Sequence, residues 1–307
     1  MKAIRIHGFA TPPLIEDIPT PSIGPEDVLV RVEATALNPL DGLVASGVAR
    51  QFFEIDLPVV LGTDFAGIIE RIGEAVTRWN VGDRVIAWVD AGSGGGLANF
   101  AVAPSSACAP LPDALSAAQG SAIPTAGITA WHALFSNAGL KAGERVLIHA
   151  AAGGVGSFAV QFACMAGAHV IATASGDGLA MASALGAEQV IDYQNEDFTH
   201  LTSDIDVVLD LVGGETQSRS YRVLRTGGRL VSTVMPPDEA EAREHGVTAS
   251  MFYAKPFIDH LGELVATIAE HNLQVVIDRT VAFERFDEAW KHQLSGRARG
   301  KIVVLPH

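Results

Sequence analysis

Apolar residues follow two different rhythms along this chain. Up to about residue 112 they alternate with polar ones in short runs, at 1–7, 27–33, 66–72 and 83–89, set apart by Pro and Gly turns. A period of two predicts half-buried strands, so this part reads as an all-β lobe. From 145 onward the runs are short and unbroken, at 145–149, 169–174, 189–192, 206–212 and 228–233, and helical spacing appears between them at 157–166 and 179–185. Strands buried on both faces read as continuous apolar runs, and their alternation with helices predicts a parallel, doubly wound sheet. A helical stretch begins at Ser116 and runs through 124–134, helical spacing recurs at 261–269, and 300–305 returns to strand. The last two are expected to rejoin the first lobe. The expected division of this α/β chain is therefore 1–112, 113–257 and 258–307, with the Pro-Leu-Pro-Asp stretch at 110–113 closing the first part.

The segment 150–156, AAAGGVG, lies between the first unbroken run and the helix-like run after it. A strand, a turn of small residues and a helix in that order set unblocked backbone N–H groups and a positive helix end beside an anion. The natural occupant is a dinucleotide pyrophosphate, held by Ala152, Gly153, Gly154, Val155 and Gly156. The motif departs from G-x-G-x-x-G at Ala151 and keeps Gly153 for close backbone approach and Gly156 for helix–strand packing. Residues 146–176 contain no Asp, Glu, Lys or Arg and meet the length of a membrane span, but the glycines break them into strand, turn and helix. The second glycine-rich stretch, 90–98, follows a strand without opening a helix and reads as a hairpin loop.

The end of the second strand of this sheet decides the cofactor, because an acidic residue there holds the ribose hydroxyls of NAD and repels the extra phosphate of NADP. Nineteen residues beyond Gly156 stands Ser175, an uncharged donor, which favours NADP. Against it, no Lys or Arg occurs between Arg145 and Arg219, and Asp177 could clasp a ribose diol, so NAD stays open.

A formal charge of −14, from 21 basic and 35 acidic side chains, supplies no basic stripe for nucleic acid or an anionic membrane. The two cysteines, Cys108 and Cys164, form no C-x-x-C pair and are too few for a four-cysteine zinc site. Charges at Lys2 and Arg5 interrupt the first apolar run, which reads as a strand, and no export signal is expected. A cytoplasmic enzyme with free thiols and a small-molecule substrate is expected.

The stretches 36–41 (ALNPLD), 61–67 (LGTDFAG), 81–85 (VGDRV), 125–131 (TAGITAW), 149–156 (HAAAGGVG) and 299–303 (RGKIV) together resemble the medium-chain dehydrogenase/reductase superfamily, in its zinc-independent quinone oxidoreductase branch. The resemblance runs over essentially the whole chain. It implies a GroES-like β-rich lobe made from both chain ends, a Rossmann lobe inserted between them, a nicotinamide cleft and a homodimer formed through the last Rossmann strands. Where zinc-dependent members place Cys, His and Cys or Asp, this chain has Asn38, Thr63 and Thr125, none a normal zinc ligand. No metal is expected.

Without a Lewis acid, hydride delivery to a quinone or to the β-carbon of an enone needs less help at oxygen than reduction of a simple ketone. Asn38 is the expected donor to the developing oxyanion, with Asp41 and Thr63 beside it; Asp41 is equally suited to a turn hydrogen bond. By the resemblance, Tyr193 stands near the 2′-phosphate, Thr129 near the nicotinamide carboxamide and Val212 or Gly213 by its ribose. Relatives often carry Tyr or Arg where this chain has Leu43 and Ala45, so the tyrosyl donor of enoyl-thioester reductases is missing. A thioester reductase and a crystallin-like or redox-sensing scaffold that binds cofactor without turnover are the competing readings.

Overall fold

The computed structural model describes residues 1–253 and 258–306. The chain divides into two compact units, Met1–Thr125 with Lys255–His307, and Ala126–Ala254. The expected boundary at 257 lies outside the described residues.

In the first unit the alternating runs form a seven-stranded sheet in the order Ile277–Ala282, Lys301–Leu305, Asp27–Ala36, Asp64–Ile72, Arg84–Trp88, Cys108–Pro110, with Phe100–Pro104 also paired to Asp27–Ala36. Alternation puts Val28, Val30 and Val32 on one face against Phe65, Ile69, Trp79 and Val85. A second core holds Ile4, Ile6, Leu37, Leu61, Phe283, Phe286, Ile302 and Val304. The final strand does return to this unit: Val303 pairs with Ala36 and Val304 with Thr35, antiparallel, and Leu37 N donates to Ile302 O at 2.9 Å. Continuing that register sets Lys301 opposite Asn38.

The glycine-rich 90–98 stretch closes no hairpin, because the strands flanking it pair elsewhere. It is laid along 60–62 instead, where Gly95 N donates to Val60 O, Gly96 N to Gly62 O and Leu97 N to Leu61 O. Gly94 sits at φ 54 against Val60 O, where a side chain has no room.

The second unit is a parallel sheet in the order Gln189–Asp192, His169–Ala174, Arg145–Ile148, Ile205–Asp210, Leu224–Ser232, Thr248–Met251. Numbered along this unit, the order is 3-2-1-4-5-6, the doubly wound Rossmann arrangement, with its switch point at the carboxyl ends of Arg145–Ile148 and Ile205–Asp210. The helix after the glycine turn spans Gly154–Met165, so it begins inside the turn and not at Ser157. The uncharged stretch 146–176 is thus strand, turn, helix and strand, and no helix among the described residues is long and apolar enough to cross a membrane. Thr248–Met251 was not anticipated: its four residues, TASM, carry little apolar signal, and pairing with Leu224–Ser232 makes them a strand.

Candidate active site

Asn38 ends the extended backbone of Asp27–Ala36 and caps the helix Pro39–Ser46, whose first turn Pro39 suits by its fixed φ. The Asp41 carboxylate accepts from Asn38 N at 2.7 Å and from Gly62 N at 3.0 Å, tying the helix start to the 61–63 segment. The Asn38 side chain has further partners of its own. Its Nδ2 donates to Thr63 Oγ1 at 3.3 Å and to Thr125 Oγ1 at 3.4 Å, and its Oδ1 accepts from the Lys301 ammonium. Lys301 Nζ also donates to Leu37 O at 2.7 Å. At the far side, Asp64 Oδ1 accepts from Thr63 Oγ1 at 2.9 Å and Thr125 Oγ1 at 2.6 Å, and Oδ2 from Thr125 N at 3.0 Å.

Most of this is buried: Asn38, Asp41, Thr63 and Lys301 are 2–4 % exposed and Asp64 is 0 %, while Thr125 is half-buried. Burial pushes the Asp41 carboxyl up to about 6; nearby Asp64 adds to the rise, while the Asn38 and Gly62 N–H groups and Lys301 hold it back. Burial pulls the Lys301 ammonium down, opposed by Asp64 and Asp41. The structure therefore joins Asn38 to Thr63 through their side chains, and turns Asp41 toward backbone N–H groups. Lys301 and Asp64 were not singled out from the sequence. The RGKIV and LGTDFAG stretches contain them, but only strand register shows what they touch.

In the second unit the glycine turn fits a dinucleotide pyrophosphate. Gly153 caps the Gly154–Met165 helix with no side chain, so the N–H groups of Gly154, Val155 and Gly156 have neither an intrahelical acceptor nor a side-chain cap. Gly153, Gly154 and Val155 are half-buried, and Ala152 and Gly156 are buried. A Cβ on Gly156 would lie 2.7 Å from Ala151 Cα and press on Ala150 O. The left-handed residue of the turn is Ala150, at φ 49, one position before the missing glycine of the motif.

At the end of His169–Ala174, Ser175 Oγ donates to Tyr193 OH at 3.0 Å, so the two expected ribose-end residues form one hydroxyl pair, with Tyr193 56 % exposed. Arg219 does not serve this end: it pairs with Asp197 and lies over the Phe198 ring at 5.1 Å. Val212 and Gly213 are organised by a residue that the sequence reading passed over. The buried Asp210 accepts from Val212 N at 3.0 Å, Gly213 N at 2.8 Å, Gln217 Nε2 at 2.9 Å and Ser232 Oγ at 2.8 Å. Thr129 is buried in the Pro124–Trp131 helix. His149 is a satisfied interior histidine: Ser220 Oγ donates to Thr216 O at 2.7 Å, so the 2.9 Å bond between His149 Nε2 and Ser220 has the ring as donor, and Nδ1 accepts from Thr173 Oγ1 at 3.0 Å.

Residues 24–113 match the family described as alcohol dehydrogenase GroES-like domain, and residues 185–304 the one described as zinc-binding dehydrogenase. A chloroplastic quinone oxidoreductase of Triphysaria versicolor is 34 % identical over 326 residues, covering 100 % of this chain and 98 % of its own. The chain belongs to the medium-chain dehydrogenase/reductase superfamily, in its quinone oxidoreductase-like branch. Among solved structures of that superfamily, the quinone oxidoreductase from Coxiella burnetii matches with a TM-score of 0.92 and 32 % identity over 99 % of both chains. The Escherichia coli quinone oxidoreductase complexed with NADPH matches with a TM-score of 0.88 and 25 % identity over 100 % of both.

Zinc, which the second family description names, does not fit this member of the superfamily. At the positions in question stand a carboxamide and two hydroxyls already bonded to one another and to Asp64, with an ammonium beside them that repels a cation. Among the described residues no group of three His, Cys, Asp or Glu could hold a metal ion.

Proposed function

We propose that this chain is an NADPH-dependent oxidoreductase that reduces quinones or α,β-unsaturated carbonyl compounds. The observation that carries the reading is the state of the Asn38 amide. Its two N–H bonds, at 3.3 and 3.4 Å, are at the long end of the hydrogen-bond range, and its carbonyl is taken by Lys301. An oxygen gaining negative charge is a better acceptor than a threonine hydroxyl, so the amide N–H groups transfer to it at little cost. Thr63 and Thr125 stay oriented by Asp64 as this happens.

When bound, the dihydronicotinamide supplies a hydride. The rest falls to the chain's own groups: the N–H groups of Gly154, Val155 and Gly156 hold the pyrophosphate, and Ser175 with Tyr193 meet the ribose end. Asp210 fixes the Val212–Gly213 backbone for the nicotinamide side, with Thr129 assigned to its carboxamide. NADPH is favoured over NADH by the uncharged Ser175–Tyr193 pair. A homodimer and a cytoplasmic location belong to the same proposal; the Thr248–Met251 strand, at the edge of its sheet with Thr248 and Met251 exposed, supports the first. Sedimentation of the purified chain and cell fractionation test the two.

The deciding experiment is stopped-flow oxidation of NADPH with 1,4-naphthoquinone, a short enone, a crotonyl thioester and a simple ketone. Turnover of quinone or enone, none of ketone, and indifference to a chelator are expected. Turnover of the thioester alone would replace the reading with a thioester reductase, and tight NADPH binding with no acceptor consumed would replace it with a scaffold.

A further inference from the structure

The proton donors of the first unit's polar cluster all run one way. Lys301 has only protons to offer, so it must face Asn38 Oδ1, and this settles which end of the carboxamide is which. The amide nitrogen then points to Thr63 and Thr125, whose hydroxyl protons are both given to Asp64. Reversing the carboxamide would oppose an ammonium with an NH2 group and leave both hydroxyls choosing between Asn38 Oδ1 and Asp64. The chain cation, carboxamide, hydroxyls, carboxylate is thus a single directed series, in which each bond polarises the next. Its first member comes from the strand Lys301–Leu305 and acts on Asn38 across 263 residues of sequence.

We propose that Lys301 is a positioning residue for the reduction: its buried ammonium fixes and polarises the Asn38 carboxamide so that N–H groups, and not the carbonyl, meet the oxygen of the acceptor. The proposal rests on the reading of the chain as a reductase in which Asn38 serves that oxygen. It goes further in assigning the orientation and donor strength of Asn38 to a residue that need not touch the substrate. A simple structural role, a tie between the last strand and the Pro39 helix, predicts a loss of stability without coupling to Asn38.

A double-mutant cycle separates the two roles. Lys301→Met should lower kcat with 1,4-naphthoquinone about 30-fold while leaving the NADPH Kd within about twofold, because the bond lost is one to a charged group and none of those assigned to the cofactor. In an Asn38→Ala background the same change should alter kcat by less than about threefold, since the group through which it acts is gone. A second readout needs no turnover: in 15N-asparagine-labelled protein the Asn38 carboxamide signal, assigned by its loss in Asn38→Ala, should shift and exchange faster in Lys301→Met. Lys301→Gln, which keeps a neutral donor and most of the volume, takes its place should the methionine variant not fold; it should shift the carboxamide signal by less and lose about tenfold in kcat, falling to less than about threefold in the Asn38→Ala background. Equal losses in both backgrounds, or an Asn38 signal indifferent to residue 301, overturn the proposal. If the wild type consumes no acceptor, the reductase reading fails by itself, and the carboxamide signal still decides whether Lys301 orients Asn38.

Discussion

Lys301 donates to the side-chain oxygen of Asn38, a residue at the opposite end of the sequence, and Asp64 receives the protons at the other end of the same series. Cation and anion are both buried, so each compensates the desolvation of the other through the groups between them. The directed series makes the carboxylate as necessary as the ammonium, and Asp64 can be tested on stability alone.

Asp64→Asn is expected to destabilise the first unit by about 2–4 kcal/mol, since an amide cannot accept from two hydroxyls and a backbone N–H with all its atoms, and Lys301 loses a counter-charge. Urea unfolding followed through Trp79, Trp88 and Trp290 measures this. NADPH affinity should move by less than about twofold, because the cradle is built from residues of the other unit. A variant as stable as the wild type would show that the carboxylate is not the end of the series.

The glycine turn permits an opposed pair of substitutions. Gly156→Ala places a methyl group 2.7 Å from Ala151 Cα and against Ala150 O, backbone that cannot step aside, and should weaken NADPH binding at least about tenfold as the helix start is pushed off the strand. Ala150→Gly relieves a left-handed alanine at φ 49 and should raise stability by about 1 kcal/mol with cofactor affinity kept. Thermal unfolding with and without NADPH reads both; a harmless Gly156→Ala would remove the case for close packing at this turn.

The strands of the second unit were legible because burial on both faces leaves an unbroken apolar run, and His169–Ala174 and Gln189–Asp192 have the bounds that the pattern predicts. The site was legible only in part. Asn38 and Thr63 stand out as polar residues in apolar surroundings, but what each touches depends on strand register. Lys301 reaches Asn38 through the pairing of Val303 with Ala36, and Thr125 reaches Asp64 across 61 residues. Asp210 was hidden for a different reason: within VLDLVGG it reads as the polar end of a strand, and its four donors come from a loop, a helix and the end of another strand that no local pattern brings together.

Asp177, in the first turn of the helix Asp177–Ala184, lies two residues beyond Ser175 and carries the sign that opposes a 2′-phosphate. Replacing it by serine should tighten NADPH about tenfold and alter NADH by less than about threefold, with the gain shrinking as salt is raised. Ser175→Ala should act the other way on NADPH by removing a donor from the Tyr193 pair. Fluorescence titration of both cofactors at two ionic strengths decides it. If Asp177→Ser moves NADH and NADPH equally, the phosphate is not recognised at this strand end.

His149 and Asp41 give the two units opposite responses to acid. Burial holds the His149 imidazole down at about 4, with Arg219 contributing and Asp210 opposing, against an ordinary value of 6.5. Between pH 6.5 and 4 the unfolded chain therefore takes up a proton that the folded Ala126–Ala254 unit refuses. That unit loses stability as pH falls through this window, by up to roughly 3 kcal/mol. Asp41 is raised to about 6 from 3.8, so its contribution is complete below 3.8 and is lost as pH rises through 6. Acidification over the same window relieves the first unit by up to roughly 3 kcal/mol. The second unit should thus open first. Trp131 reports on it, packed edge-on against Phe135 and Phe162 with ring centroids 4.6 and 5.3 Å away. In protein labelled with 5-fluorotryptophan, its fluorine signal, assigned with Trp131→Phe, should shift to the unfolded position at higher pH than those of Trp79, Trp88 and Trp290. His149→Gln should delay that change by about one pH unit, because a side chain that never ionises removes the proton uptake that drives it. All four signals moving together, and unaltered by His149→Gln, would mean that neither group governs the acid response.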